Sequence, residues 1–202
     1  IPLTPAAMPV QDRMLRDTDR KQALARAALP LIRPGMTLFL DAGSTVQQLA
    51  LLLPDGALRI ITNSVPAAMA LIQRRDIDLH LIGGRVAPRI GASTDARALA
   101  ELQRVRCDLA FVGACAMSLD HGLAGVDAAD VDCKRAIIAQ SDRSAMMLTD
   151  DKLGTGAPFL IGAPAIIGTY VLEATAPPAF PAALAALGAQ VITAAPIPRE
   201  RP

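Results

Sequence analysis

The sequence has no tryptophan, one tyrosine and four phenylalanines, so aromatics make up only 2% of its 202 residues. That scarcity argues against a stacking platform for bases or glycan rings, and it leaves the core to be packed from Ala, Leu, Ile, Val and Met. Histidine is scarce as well, with two residues, and the three cysteines, Cys107, Cys115 and Cys133, stand well apart without a Cys-x-x-Cys pair. Neither a zinc site nor a disulfide framework is indicated; no metal or cofactor is expected, and a reducing cytoplasm suits this cysteine usage. Net charge is only +1, and the densest cationic stretch, Arg13 to Arg26, is interleaved with Asp12, Asp17 and Asp19. A DNA-binding module usually carries a clustered basic stripe, so the chain by itself does not read as a nucleic-acid binder. The uncharged run from Ala174 to Pro198 is interrupted by Pro177, Pro178, Pro181, Pro196 and Pro198. It reads as turn, short helix and strand, and no membrane span is expected. No signal peptide is recognisable, and the chain opens at Ile1 rather than Met.

What is abundant is aliphatic surface. Hydrophobic residues make up 52% of the chain and mean hydropathy is +0.36, enough for one sizeable core. After a Pro- and Ala-rich lead-in over residues 1–10, Gln11 to Ile32 has helical spacing, closed by Pro30 and Pro34-Gly35. Short apolar runs then alternate with helical stretches. Strands are predicted at Thr37 to Leu40, Arg59 to Ile61, Leu79 to Ile82, Leu109 to Val112, Ala145 to Leu148, Thr169 to Leu172 and Val191-Ile192. Helices are predicted over Val46 to Leu53, Pro66 to Arg74, Ala96 to Gln103, Asp130 to Gln140 and Pro181 to Leu187. This alternation, with strands that are nearly continuous apolar runs, predicts an α/β fold with an open, mostly parallel, doubly wound sheet.

In such sheets ligands sit outside the carboxyl ends of the strands, and there the polar and glycine residues gather. Asp41-Ala42-Gly43-Ser44-Thr45 follows the first strand: glycine permits close backbone approach, and the hydroxyls and free N–H groups of a helix start suit an anion such as phosphate. An ordinary helix cap explains Ser44 and Thr45 equally well. Thr62-Asn63-Ser64 has the same two readings, with Ser64 a good cap ahead of Pro66. Gly83-Gly84-Arg85 is either a tight bend or a carboxylate or phosphate contact through Arg85. Asp130 and Lys134 form an i,i+4 pair that is either a surface ion pair or a ligand contact. Lys152, at another strand end, is a further cation. Together these groups favour a polyanionic ligand.

Taken in order, Gly35 to Thr45, Ile61 to Ser64, Leu81 to Arg85, Asp108 to Ala114, Asp130 to Ile138 and Asp150 to Gly154 resemble the sensor domain of DeoR-type transcriptional regulators over about Asp19 to Thr175. The resemblance implies the fold shared with ribose-5-phosphate isomerase and CoA-transferases, and an effector that is a phosphorylated sugar or related anionic metabolite. It implies that Gly43, Ser44 and Thr45, helped by Lys152, hold the phosphate, while Asp41, Thr62, Asn63, Gly84, Arg85, Asp130 and Lys134 surround the sugar. It further implies a homo-oligomer, dimer or tetramer, that touches DNA only through an N-terminal winged helix-turn-helix, often as a repressor. On that reading residues 1–34 are lead-in and linker helix, 35–195 the sensor and 196–202 a tail. Two departures from the family pattern, Cys115-Ala116 in place of Asp-Gly and Ala124-Gly125-Val126-Asp127 in place of a Thr-rich turn, lie near the expected pocket mouth. An isomerase is the rival reading, but its Asp-Gly-Ala-Asp turn and Lys-Gly-Gly-Gly stretch are missing, so no catalysis is expected. An oligomerisation module without a ligand is the third.

Overall fold

The computed structural model describes Pro2, Thr4 and residues 8–196. The rest of the lead-in, and the expected tail beyond Pro196, lie outside the described residues. Seven strands form the main sheet: β1 (Thr37–Leu40), β2 (Leu58–Thr62), β3 (Ile77–Leu81), β6 (Cys107–Phe111), β9 (Ser141–Leu148), β11 (Thr169–Leu172) and β12 (Gln190–Thr193), in the order β12-β11-β9-β6-β1-β2-β3. Every neighbouring pair is parallel.

Parallel strands need crossovers, and the helices supply them. They are α1 (Val10–Met14), α2 (Thr18–Ala28), α3 (Ser44–Leu52), α4 (Val65–Leu71), α5 (Ala96–Leu102), α6 (Ala128–Ala139) and α7 (Ala179–Ala186). Side chains alternate across each strand, and the core divides accordingly. Leu38, Leu40, Ile60, Leu109, Phe111, Met147 and Val171 pack with Leu24, Leu49 and Leu71 on the face of α2, α3 and α4. Phe39, Ile61, Ala110, Met146, Leu148, Tyr170 and Leu172 pack with Leu102, Ile137 and Leu184 on the face of α5, α6 and α7. Both faces of the sheet are therefore covered, which explains why the strands read as unbroken apolar runs.

Two small antiparallel additions were not predicted from the sequence: a hairpin of β4 (Val86–Ala87) and β5 (Ala92–Ser93), and a sheet of β7 (Ala116–Ser118), β8 (Gly122–Gly125) and β10 (Phe159–Gly162). The helical span predicted from Gln11 to Ile32 is also divided. α1 ends at Met14, Asp17 adopts φ 51°, and α2 runs to Ala28 before a 3-10 turn containing Pro30. The break is held from a distance, because the buried Lys21 ammonium donates to the carbonyls of Arg13 and Arg16. Among the described residues, no helix is long and apolar enough to cross a membrane.

Candidate functional site

From β1 the chain moves outward to β2 and β3, then returns to the other side of β1 for β6, β9, β11 and β12. Connections therefore leave the carboxyl ends of β1 and β6 in opposite directions, and a crevice opens between them. Asp41, directly after β1, is fully buried there. Its backbone N–H donates to the Phe111 carbonyl, and its Oδ2 accepts from the Gly113 N–H at 2.8 Å and from Lys134 Nζ at 2.7 Å. Gly113 follows from this approach: a Cβ on it would lie 2.8 Å from the Ala42 carbonyl oxygen.

Lys134, 2% exposed, also donates to Asp130 Oδ1, 3.0 Å away on the preceding turn of α6. The pair whose spacing also suited the surface is thus part of a buried triad, because Asp41 arrives from β1. Burial opposes the charge on Lys134, but Asp130 and Asp41 outweigh it and hold the ammonium above its ordinary range. Burial pushes the Asp130 carboxyl up, against the attraction of Lys134.

Above the triad is a cavity of about 330 Å³ whose walls include Gly43, Ser44, Thr45, Asp130, Lys134 and Lys152. One wall is the start of α3. Its N-cap residue is Gly43, and no side chain caps it. α4, α5 and α6 are capped by Ser64, Asp95 and Asp127, which accept from the N–H groups of Ala67, Ala98 and Asp130, while α1, α2 and α7 resemble α3 in having no side-chain cap. Ser44 is thus the first residue of the helix rather than its cap, and the first-turn donors and the positive end of the dipole remain directed at the cavity. The Thr45 hydroxyl is buried in this wall with no hydrogen-bond partner. Gly43 is extended (φ 161°), and a Cβ on it would meet nothing within 4 Å. The protein's own packing does not require glycine there; its small size keeps the backbone accessible from the cavity.

Lys152 ends the 3-10 turn Asp150–Lys152 after β9. Burial, reinforced by the nearby positive charges of Arg13 and Lys21 against Cys115 and Asp151, pushes its ammonium down to about 8. The cavity is also lined by Arg13 of α1 and by Arg89 and Ile90 of the β4–β5 turn, which the sequence reading did not single out, and by Cys115 and Val126, which belong to the two departures from the family pattern. The N–H of Val10 donates to the Arg89 carbonyl at 2.8 Å, so the N-terminal segment is tied to the hairpin beside this cavity. Pro88 and Gly91, flanking Arg89 and Ile90, were the turn signal available in the sequence. Nothing local marked Arg13. All three cysteines are buried and free, and burial raises the Cys107 and Cys133 thiols to about 11 and 12.

The remaining sequence-selected residues do not line this cavity. Thr62 donates to the Leu40 carbonyl and accepts from the Ser64 N–H. Asn63 donates to the Ser93 carbonyl, although its buried Oδ1 has no partner. Gly83 donates to Glu101, and Arg85, through its backbone N–H, to Asp95. Gly84 (φ +123°) needs its glycine: a Cβ would run into the Asp95 carboxylate. Among the described residues, no cluster of three His, Cys, Asp or Glu could hold a metal ion.

The family model described as the DeoR C terminal sensor domain matches residues 16–172. The glycerol-3-phosphate regulon repressor of Escherichia coli (strain K12) is 29% identical over 178 residues, which cover 88% of this chain and 71% of the relative. The putative sgc region transcriptional regulator of Escherichia coli (strain K12) is 27% identical over 157 residues, covering 78% of this chain and 60% of the relative. Among solved structures, ribose 5-phosphate isomerase a of Methanocaldococcus jannaschii superposes with a TM-score of 0.49 at 18% identity, over 68% of this chain and 55% of that one. The chain belongs to the DeoR C-terminal sensor domain family, the sensing portion of transcriptional regulators.

Proposed function

We propose that the cavity above the Asp41–Lys134–Asp130 triad takes a phosphorylated sugar or related small anionic metabolite, and that its occupancy sets DNA binding by a helix-turn-helix module elsewhere in the full-length regulator. One observation carries this reading. α3 begins without a side-chain cap, and it presents its first-turn donors, with the buried Thr45 hydroxyl, to the cavity that holds Lys152. A phosphate would satisfy those donors and the dipole together. Asp130 and Lys134, on the floor, suit the hydroxyls of an attached polyol. The Escherichia coli relative is named for a glycerol-3-phosphate regulon, which fits a phosphate ester of a small polyol.

In this reading the domain senses and does not catalyse. Isomerisation needs a positioned general base, and the acidic Asp-Gly-Ala-Asp turn of the isomerases is missing from the sequence. Residues 35–195 are the sensor, residues 1–34 are the lead-in and linker helix from the DNA-binding module, and the regulator works in the cytoplasm as a homo-oligomer. Thermal melts against a panel of sugar phosphates test the binding: a ligand at 100 times its dissociation constant adds roughly 2.7 kcal/mol of apparent stability. No shift with any anionic metabolite would sink the proposal. Aldose–ketose interconversion seen by NMR would overturn the non-catalytic part. For the regulatory step, operator affinity of the full-length protein should change with effector by about 1–3 kcal/mol. An operator affinity indifferent to a bound ligand would refute it.

A further inference from the structure

Next to the main cavity is a second of about 80 Å³, sharing with it the walls formed by Met8, Arg13, Ser44 and Lys152. It has room for a phosphoryl or carboxylate group. Its lining is strongly biased in charge. Arg13, Arg16, Lys21 and Lys152 face two carboxylates, Asp17 and Asp151, and both of these are shared with Arg20 at 3.5 and 3.4 Å. The other contacts of these cations are to uncharged groups, and Arg16 donates to the Met8 sulfur at 3.4 Å. Lys21 is fixed in place by the carbonyls of Arg13 and Arg16, and the Arg13 Nε is buried with no hydrogen-bond partner. Burial lowers both Lys21 and Lys152; Arg13 acts with it on both, while Asp17 opposes it at Lys21 and Asp151 at both. Lys21 is buried, Arg13 and Lys152 are half-buried and Arg16 is exposed; cations gathered this closely repel one another, and an anion among them relieves the repulsion.

We propose that this cavity is a second anion subsite, and that the effector carries two anionic groups: one on the start of α3, the other against Arg13, Arg16 and Lys152. The proposal rests on the reading of the main cavity as an anion site. The shared wall at Ser44 lets one compact ligand reach both places. The same chemistry would also accept a separate phosphate ion, and the experiment distinguishes the two sources.

Titration calorimetry at low salt would compare glycerol 3-phosphate with 3-phosphoglycerate, and fructose 6-phosphate with fructose 1,6-bisphosphate, with inorganic phosphate as a third probe. In at least one pair the doubly anionic member should bind about tenfold tighter or more, as added charge-assisted hydrogen bonds predict. Arg16→Gln, which touches only the smaller cavity, should remove that gain and leave the singly anionic partner within about twofold. Arg13→Gln, on the wall shared by both cavities, should also remove the gain, and melting curves verify that both variants fold. A second equivalent of inorganic phosphate binding to a monophosphate complex, and lost in Arg16→Gln, would support the subsite but overturn the two-headed effector. Equal affinities within both pairs, with no second phosphate, would overturn the subsite and leave the main-cavity reading standing. If none of the probes binds, both readings fall.

Discussion

Two stretches of the same sheet edge look alike in sequence and differ in structure. Past β2 and β3, the polar groups are largely engaged within the protein: Thr62 with Leu40 and Ser64, Ser64 with Ala67, the Gly83 N–H with Glu101 and the Arg85 N–H with Asp95, the buried Asn63 Oδ1 being an exception. Past β1 and β9, the α3 donors, the Thr45 hydroxyl and the Lys152 ammonium meet a cavity instead. Asp41, Asp130 and Lys134 are an intermediate case: they bind one another and form or support the cavity floor, yet the buried Asp41 Oδ1 has no partner. A polar cluster at a strand end becomes a candidate site when its hydrogen-bonding capacity is still unspent. Residue type alone does not decide this.

The largest effect should come from breaking the floor. Lys134→Met leaves two buried carboxylates unpaired and should cost about 3–5 kcal/mol in urea unfolding; a loss below about 1 kcal/mol would mean the triad is not sealed. Next is Lys152→Met, which should weaken binding of a phosphate ester by ten- to a hundredfold, about 1.5–3 kcal/mol, while the ligand-free protein melts no lower than the parent. Unchanged affinity would move the anion site away from α3.

The pH dependence sharpens the same contrast. The Lys152 ammonium sits near 8 in the folded protein against 10.5 when free, so between these values the unfolded chain holds more protons and stability rises with pH. The raised thiols of Cys107 and Cys133 act oppositely above about pH 9, so the window to measure is pH 7 to 9. There, ligand-free stability should climb while phosphate-ester affinity falls, and Lys152→Met should flatten the affinity trend and lessen the stability trend, to which the lowered Lys21 also contributes. The smallest effects belong to the other region. Ser64→Ala should cost about 1 kcal/mol as a lost cap, and Arg85→Gln less than about 0.5 kcal/mol, each with effector affinity unchanged by calorimetry. A tenfold affinity loss in Arg85→Gln would erase the distinction between the two regions.

Much of the sheet was legible. Thr37–Leu40 and Thr169–Leu172 were predicted with the bounds the structure has, because a strand buried on both faces leaves an uninterrupted aliphatic run. The small antiparallel strands were not. Gly122–Gly125 reads Gly-Leu-Ala-Gly and Val86–Ala87 is two residues long, too short and too poor in β-branched residues for a periodic signal. The same gap concealed Arg89 and Ile90 on the cavity rim. Arg13 escaped notice because the break between α1 and α2 depends on Lys21, eight residues along, and its position over the cavity on the contact between Val10 and the Arg89 carbonyl.

By itself the sequence determined the alternation of strand and helix, the two-faced core, and the polar residues at the strand ends, since these follow from local periodicity and turn chemistry. Tertiary structure decided which of those residues share a space. Asp41 meets Lys134 across 93 positions because the strand order reverses at β1 and β6, and whether a donor is left for a ligand depends on what else folds against it.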